Sequence, residues 1–130
     1  MRYLLDTHTL AWAVGDASLL GDEAAALLGD PKNALLVSPA SIWEMSIKHH
    51  AGRWPEVAPF LDEQVYAGFA QRLGLQELPV RLPHTRLAGQ FRLEHRDPFD
   101  RLLAAQALLE GVALVSRDAA FDAFPVNRVW

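Results

Sequence analysis

Short apolar runs alternate along the chain with longer stretches in which apolar residues recur at helical spacing. The strongest runs cover residues 2–6, 33–38 and 111–116, with weaker ones at 75–80 and 126–130. The strong runs carry apolar residues at consecutive positions, so they predict strands that are buried on both faces of a parallel sheet.

The segments between these runs predict helices. They lie at 18–29, 39–52 and 98–111, at 56–74 as one or two helices, and more weakly at 82–93. Pro39 directly after Ser38, and glycines at the ends of several segments, are typical of helix boundaries. Strands alternating with helices of this length predict an α/β fold, with a mainly parallel central sheet flanked by helices and residues 1–130 forming a single domain.

Composition narrows the functional classes. The 130 residues include no cysteine, which excludes disulfides, thiolate metal sites and thiol catalysis. No apolar run is long enough to span a membrane, and Asp6 interrupts the segment in which a signal peptide would need to be apolar, so we expect a cytoplasmic protein. The formal net charge of −4 provides no general attraction for nucleic acid, so any such binding requires a local basic patch.

Acidic residues occur where several predicted elements meet. Asp6 ends the first strand, Asp118 follows the third by two residues, and Asp97 and Asp100 begin the helix that leads into that third strand. Glu44 lies early in the helix after the second strand. Because ligands of open parallel sheets bind beyond the carboxyl ends of the strands, we expect these acids to converge at one edge.

Such a group of carboxylates indicates a metal site. Like charges raise one another's pKa, and a hard divalent cation relieves that conflict. Mg²⁺ or Mn²⁺ prefers oxygen ligands, needs only one or two direct carboxylates, and makes bound water a better nucleophile. The chemistry that this predicts is phosphodiester hydrolysis.

Each acid also has a purely structural interpretation. Asp97 before Pro98 is a good helix N-cap, and Asp118 could cap a short helix that follows it. Glu44 could face solvent. The tryptophans Trp12 and Trp43 occupy helical apolar positions and are predicted to lie in the core.

Four segments together resemble the PIN-domain nucleases, and specifically the VapC-type ribonuclease toxins of bacterial toxin–antitoxin pairs. They are LLDTHTLAW (4–12), SPASIWEMSIKHHAGR (38–53), HRDPFDRLLAAQA (95–107) and LVSRDAAF (114–121). The resemblance covers nearly the whole chain. It implies a metal-dependent endoribonuclease that forms homodimers and is inhibited by a small antitoxin protein.

The resemblance also implies roles for single residues. Asp6, Asp100 and Asp118 are expected to hold Mg²⁺ or Mn²⁺, while Glu44 holds a second ion or polarises the water. Thr7 is expected to orient a carboxylate or a water. Asp97 is either a further ligand or only a helix cap.

RNA approaching an acidic site requires flanking cations. The candidates are Lys48, Arg53, Arg96 and Arg117, together with His8, His49, His50 and Arg101. A solvated helix end, or ion pairs with the neighbouring acids, would explain the same residues. Two alternatives to a nuclease stay open: a receiver-like phosphotransfer domain, and an acidic cleft that only binds a basic partner.

Overall fold

Five short parallel strands form one sheet in the computed structural model, which describes residues 1–130. The strands are β1 (Arg2–Leu5), β2 (Ala34–Val37), β3 (Leu75–Glu77), β4 (Ala113–Val115) and β5 (Arg128–Val129). Their order is β3-β2-β1-β4-β5, and each neighbouring pair is parallel. The predicted α/β fold with a mainly parallel sheet is therefore confirmed.

Six α-helices and three 3₁₀ segments surround the sheet. The helices are α1 (Thr7–Gly15), α2 (Asp22–Gly29), α3 (Pro39–His50), α4 (Glu63–Leu73), α5 (Leu82–Gln90) and α6 (Pro98–Glu110). The 3₁₀ segments are Ala17–Leu19, Pro55–Leu61 and Ala119–Ala123. None of the helices combines the length and the hydropathy that a membrane span requires.

The helices differ from the prediction at two places: α1 is additional, and the helix predicted from residue 18 begins at Asp22, after the 3₁₀ segment Ala17–Leu19. Helix α1 was not predicted, because its apolar residues follow the β1 run without a glycine or proline to mark the change of period. The segment at 56–74, predicted as one or two helices, forms the 3₁₀ segment Pro55–Leu61 and α4, and the Asp62 side chain caps α4 by accepting a hydrogen bond from Val65 N at 2.9 Å.

Both faces of the sheet are buried, as the consecutive apolar residues predicted. Along β1, Tyr3 and Leu5 belong to one core cluster, whereas Leu4 belongs to the cluster on the opposite face. Helix α3 contributes Met45 to the first cluster, and α6 contributes Leu103 to the second. This two-sided burial holds β1 rigidly at the centre of the sheet.

The prediction that Trp43 lies in the core is wrong. Its side chain is 63% exposed and its ring packs edge-on against the Phe99 ring, with the centroids 5.3 Å apart. Helix α3 instead buries the face that carries Ser41, Glu44 and Met45. The apolar residues of this helix do not lie on one face, so the face that the fold buries carries Glu44 and the exposed face carries Trp43. Trp12 is half-buried and packs against Trp130.

The strand order creates a switch point beside β1. Strands β2 and β3 lie on one side of β1 in the sheet, whereas β4 and β5 lie on its other side. Crossovers then leave the sheet in opposite directions, and a crevice opens beyond the carboxyl ends of β1 and β4. Helix α6 packs against β4 and leads directly into it.

Candidate active site

An open cleft of about 530 Å³ lies at this switch point. It is lined by every acid that the sequence singled out: Asp6, Glu44, Asp97, Asp100 and Asp118. These residues come from the end of β1, from α3, from the start of α6 and from the turn after β4. The fold thus brings together residues that are up to 112 positions apart in the sequence, from 6 to 118.

Asp6 is buried at the inner end of the cleft. Its side chain is the N-cap of α1, with Oδ1 accepting a hydrogen bond from Thr9 N at 2.8 Å. Its Oδ2 accepts a hydrogen bond from Ser116 Oγ at 2.5 Å. Burial raises the pKa of Asp6, although the hydrogen bonds from Ser116 and Thr9 oppose the shift. A cation beside this carboxylate would stabilise its charged form.

Glu44 is only 4% exposed, and both of its carboxylate oxygens have partners. Thr7 Oγ1 donates to Oε1 at 2.7 Å and also lies 3.1 Å from Ser41 Oγ. Lys48 Nζ donates to Oε2 at 2.6 Å, one helical turn further along α3. A buried carboxylate held from two sides has one orientation, which is a requirement of a catalytic group.

Asp100 lies at the start of α6, and its pKa is raised above the ordinary value. Burial, with added repulsion from Asp97 and Glu44, raises the pKa of Asp100 to about 6. His95 opposes the shift, since its Nε2 lies 2.9 Å from Asp100 Oδ2. The His95 ring is itself packed against Phe124, with the centroids 5.3 Å apart. Asp100 therefore has an ordered partner and unrelieved repulsion from its acidic neighbours.

Asp97 and Asp118 cap helices and also line the cleft. Asp97 Oδ1 accepts hydrogen bonds from Phe99 N at 2.9 Å and from Asp100 N at 3.2 Å, as the capping interpretation predicted. Asp118 Oδ1 accepts a hydrogen bond from Ala120 N at 2.9 Å. In each residue the cap uses one oxygen, which leaves the other carboxylate oxygen without a protein donor. Capping and metal binding are therefore compatible.

Two substitutions of Asp97 separate these roles. We expect Asp97→Asn to preserve the cap, with unfolding free energy within about 0.5 kcal/mol of the wild type, whereas Asp97→Ala loses about 1 kcal/mol. If Asp97 acts only as a cap, metal-dependent cleavage by Asp97→Asn stays close to the wild-type rate. Denaturant unfolding and a cleavage assay measure the two effects, and a loss as deep as that of Asp100→Asn would instead place Asp97 among the metal ligands.

The cationic residues named from the sequence divide into three groups. Lys48, His8 and Arg117 line the cleft, and the Arg117 guanidinium lies 6.0 Å from the centre of the Trp12 ring. Arg53 lies in an adjoining pocket. The others lie outside both pockets: His49, His50, Arg96 and Arg101.

Arg101 has a structural role. Its guanidinium donates hydrogen bonds to the carbonyl oxygens of Ala88, Phe91 and His95 at 2.7–2.9 Å. It therefore connects α6 to the end of α5 and to the loop between them. The suggestion that Arg101 pairs with a neighbouring acid is wrong, because these carbonyl oxygens occupy its donors.

Three polar residues of the site were not assigned from the sequence. They are Ser116, which bonds both Asp6 Oδ2 and the Asp118 backbone N, together with Ser41 and His95. Ser116 and His95 each lie within five residues of an acid in sequence. Serine and histidine are too common near turns for that spacing alone to indicate a role.

The donor set fits a hard divalent cation. Asp6, Asp100 and Asp118 offer oxygen ligands, and the repulsion that raises the pKa of Asp100 is the kind that a bound cation relieves. No three histidine, aspartate or glutamate side chains are grouped tightly enough to enclose an ion by themselves. Mg²⁺ commonly binds through one or two carboxylates and keeps several waters, so it does not require such a group.

Comparison with known proteins agrees with this architecture. The family model described as PIN domain matches residues 3–127. No curated protein matches the sequence significantly.

Three solved structures share the fold at low sequence identity. The Rickettsia felis VapBC2 structure, bound to a promoter DNA fragment, superposes with a TM-score of 0.71 at 18% identity, covering 99% of this chain and 98% of that one. A toxin–antitoxin complex from Klebsiella pneumoniae gives 0.61 at 20% identity, covering 98% and 96%. The Mycobacterium tuberculosis VapC20 toxin, which cleaves the sarcin–ricin loop, gives 0.58 at 19% identity, covering 93% of each chain.

Proposed function

Because the chain belongs to the PIN-domain family, we propose that it is a metal-dependent endoribonuclease and the toxin of a toxin–antitoxin pair. The observation that carries the proposal is the convergence of five acids in one cleft at the switch point of the sheet. Two of them, Asp6 and Glu44, are buried there with ordered hydrogen-bond partners. Buried carboxylates that line a cleft are typical of functional sites.

In this proposal Asp6, Asp100 and Asp118 hold Mg²⁺ or Mn²⁺, and Glu44 holds a second ion or orients the attacking water. An ion held there would lower the pKa of a bound water and would neutralise charge that develops on the phosphate. His95 and Ser116 position carboxylates of Asp100 and Asp6 respectively. Outer partners of this kind fix the orientation of metal ligands.

The remaining side chains of the cleft support water as the nucleophile. The chain has no cysteine, and the hydroxyl groups of Thr7 and Ser116 donate to Glu44 and Asp6. Lys48 and Arg117 place positive charge on the wall of the acidic cleft, where a phosphate backbone would approach. In this proposal hydrolysis proceeds by direct attack of water, without a covalent intermediate.

Two protein partners belong to the proposal. The structural similarity to a toxin–antitoxin complex supports a cognate antitoxin. An arginine of such a partner would find carboxylates suited to bidentate pairing in the cleft. A homodimer is also proposed, and the exposed Trp43 and Ile47 on α3 are side chains of the kind that subunits bury.

Metal-dependent cleavage tests the proposed function. We expect the purified chain to cut labelled transfer RNA or ribosomal RNA fragments in Mg²⁺ or Mn²⁺, to stop in excess EDTA, and to recover when Mn²⁺ is restored. The control is Asp100→Asn purified in parallel. Equal cleavage by this control would identify a contaminating nuclease. No metal-dependent cleavage of any RNA would overturn the proposal in favour of a cleft that only binds.

A further inference from the structure

A second pocket adjoins the acidic cleft and has the opposite character. It has a volume of about 380 Å³ and is lined by His8, Lys48, Arg53 and Trp54, without a carboxylate. His8 and Lys48 line the acidic cleft as well, so the two spaces share a wall. A ligand that extends out of the acidic cleft past these two residues enters a basic and aromatic pocket.

Two stacked rings form the aromatic part of this pocket. The rings of His8 and Trp54 lie 4.7 Å apart at 26°, and Trp54 is half-buried against the main core cluster. His8 is exposed, so its ring is the outer layer of the stack. Lys48 Nζ lies 5.6 Å from the centre of the Trp54 ring. The pocket therefore combines an anchored aromatic surface with a nearby cation.

The segment that carries Arg53 and Trp54 is held in place by the end of α3. Gly52 adopts a left-handed conformation with φ of 72°, which glycine tolerates. Arg53 N donates to Lys48 O at 3.0 Å, and Gly52 N donates to His49 O at 2.9 Å. The pocket is thus part of the ordered fold. Its volume lies within the range of roughly 300–1,000 Å³ that is common for small-ligand pockets.

We propose that this pocket binds the nucleotide next to the scissile phosphate with its base unpaired, an inference that rests on the proposed function. An unpaired base offers a free π-face that stacks on aromatic rings, whereas bases inside a duplex are already stacked on both sides. Arg53 supplies the charge that binds a flanking phosphate, because the Lys48 ammonium is already paired with Glu44 Oε2 at 2.6 Å. The pocket therefore selects for an unpaired base at the one position that stacks beside His8 and Trp54.

An acidic protein segment would also be attracted to Arg53 and Lys48. It would not use the stacked His8 and Trp54 rings, which provide a flat surface that suits a base. The aromatic pair therefore favours RNA, and an acidic peptide serves as a competitor in the test below.

Binding of short RNA in EDTA tests the pocket independently of catalysis. The probe is a fluorescently labelled ten-nucleotide RNA of mixed sequence, single-stranded or annealed to its complement, measured by anisotropy at low ionic strength. We expect the wild type to bind the single strand more tightly than the duplex. Trp54→Leu should lose this preference and bind the single strand roughly 5- to 100-fold more weakly, the range of one lost base stack.

Substitutions matched in chemistry control for general effects. Trp54→Phe keeps an aromatic ring and should retain most of the affinity, whereas Leu82→Ala removes an exposed apolar side chain outside both pockets and should change nothing. Arg53→Ala should reduce the slope of log affinity against log salt by about 0.7, the value for one phosphate contact on single-stranded nucleic acid. Arg86→Ala, at an exposed arginine on α5 outside both pockets, should leave that slope unchanged.

Three results would overturn the inference. The first is that the wild type binds the single strand and the duplex equally well. The second is that Trp54→Leu binds the single strand as tightly as the wild type does. The third is that an acidic peptide displaces the RNA equally well from the wild type and from Trp54→Leu. If Trp54→Leu is unfolded by circular dichroism, His8→Ala at the exposed layer of the stack replaces it with the same expected loss. Selective binding without metal-dependent cleavage would refute the proposed nuclease but support this pocket. Metal-dependent cleavage without selective binding of the single strand would support the proposed nuclease but refute this pocket.

Discussion

Asp100→Asn is expected to lower metal-dependent RNA cleavage by more than about 100-fold, since even the outer-shell partners of metal ligands are worth about 10- to 100-fold. Asparagine keeps the shape of the side chain but loses the charge that attracts a divalent cation. Asp100 has a carboxylate oxygen 2.9 Å from His95, so its orientation is already defined before a metal binds. Initial rates across a Mn²⁺ titration measure the loss.

The same substitution should not unfold the metal-free protein. The pKa of Asp100 is raised from its ordinary 3.8 to about 6, so the folded state binds the proton more tightly than the unfolded state does. Stability is then lost as the pH rises through this window, and ionised Asp100 destabilises the metal-free fold at neutral pH by up to about 3 kcal/mol. Asp100→Asn removes that charge and should unfold in EDTA at the same or a higher temperature than wild type at pH 7.

The control for charge removal is Asp22→Asn, at an exposed acid on α2 outside the cleft. It should cleave RNA at the wild-type rate. If Asp100→Asn lost its structure instead of its activity, Asp100 would be a structural residue that α6 requires. If it kept both structure and activity, the metal site would have to be built from the other acids.

The sheet and the positions of the acids could be predicted because they follow from local patterns. Consecutive apolar residues identified β1, β2 and β4, and weaker runs marked β3 and β5. The acids that follow β1 and β4 must lie near each other when the strands are parallel neighbours. Asp97 is followed by a proline and by a predicted helix, so its capping role could also be predicted. The hydrogen bonds that it accepts from Phe99 N and Asp100 N confirm this role.

The orientation of α3 could not be predicted, because it depends on tertiary packing. Trp43 and Ile47 are more hydrophobic than Ser41 and Glu44, yet the second pair is buried and the first is exposed. The reason is visible only in three dimensions: Thr7 from α1 supplies the hydrogen bond that makes burial of Glu44 tolerable. The pairing of His95 with Asp100 is hidden for a similar reason, since the irregular loop before α6 determines where the ring points.

Arg101→Ala is expected to destabilise the fold by roughly 3–5 kcal/mol, because it removes three hydrogen bonds from a charged donor, each worth about 1.5–3 kcal/mol before solvent compensates part of the loss. The carbonyl of Ala88 belongs to the last turn of α5, and that of Phe91 follows its end, so neither has an intrahelical partner. Arg101 satisfies both, together with the carbonyl of His95.

A loss of this size is a large part of the roughly 5–15 kcal/mol that stabilises a typical domain, and it should lower the Tm by about 10 °C or more. Arg101→Lys should recover little, because a single ammonium group cannot reach three separate carbonyls in the way that a planar guanidinium does. Arg96→Ala provides the matched control: Arg96 is exposed in the same loop, and its loss should change the unfolding free energy by less than about 0.5 kcal/mol.

The Arg101 substitution also bears on the active site, because the carbonyl of His95 is one of its three acceptors. A loosened loop would move the His95 ring away from Asp100, so folded Arg101→Ala should cleave RNA more slowly at a temperature well below its Tm. Calorimetry and cleavage rates at low temperature measure the two effects separately. Wild-type stability in Arg101→Ala would show that solvent replaces the guanidinium without cost, and the loop would then owe its shape to the packing of His95 against Phe124.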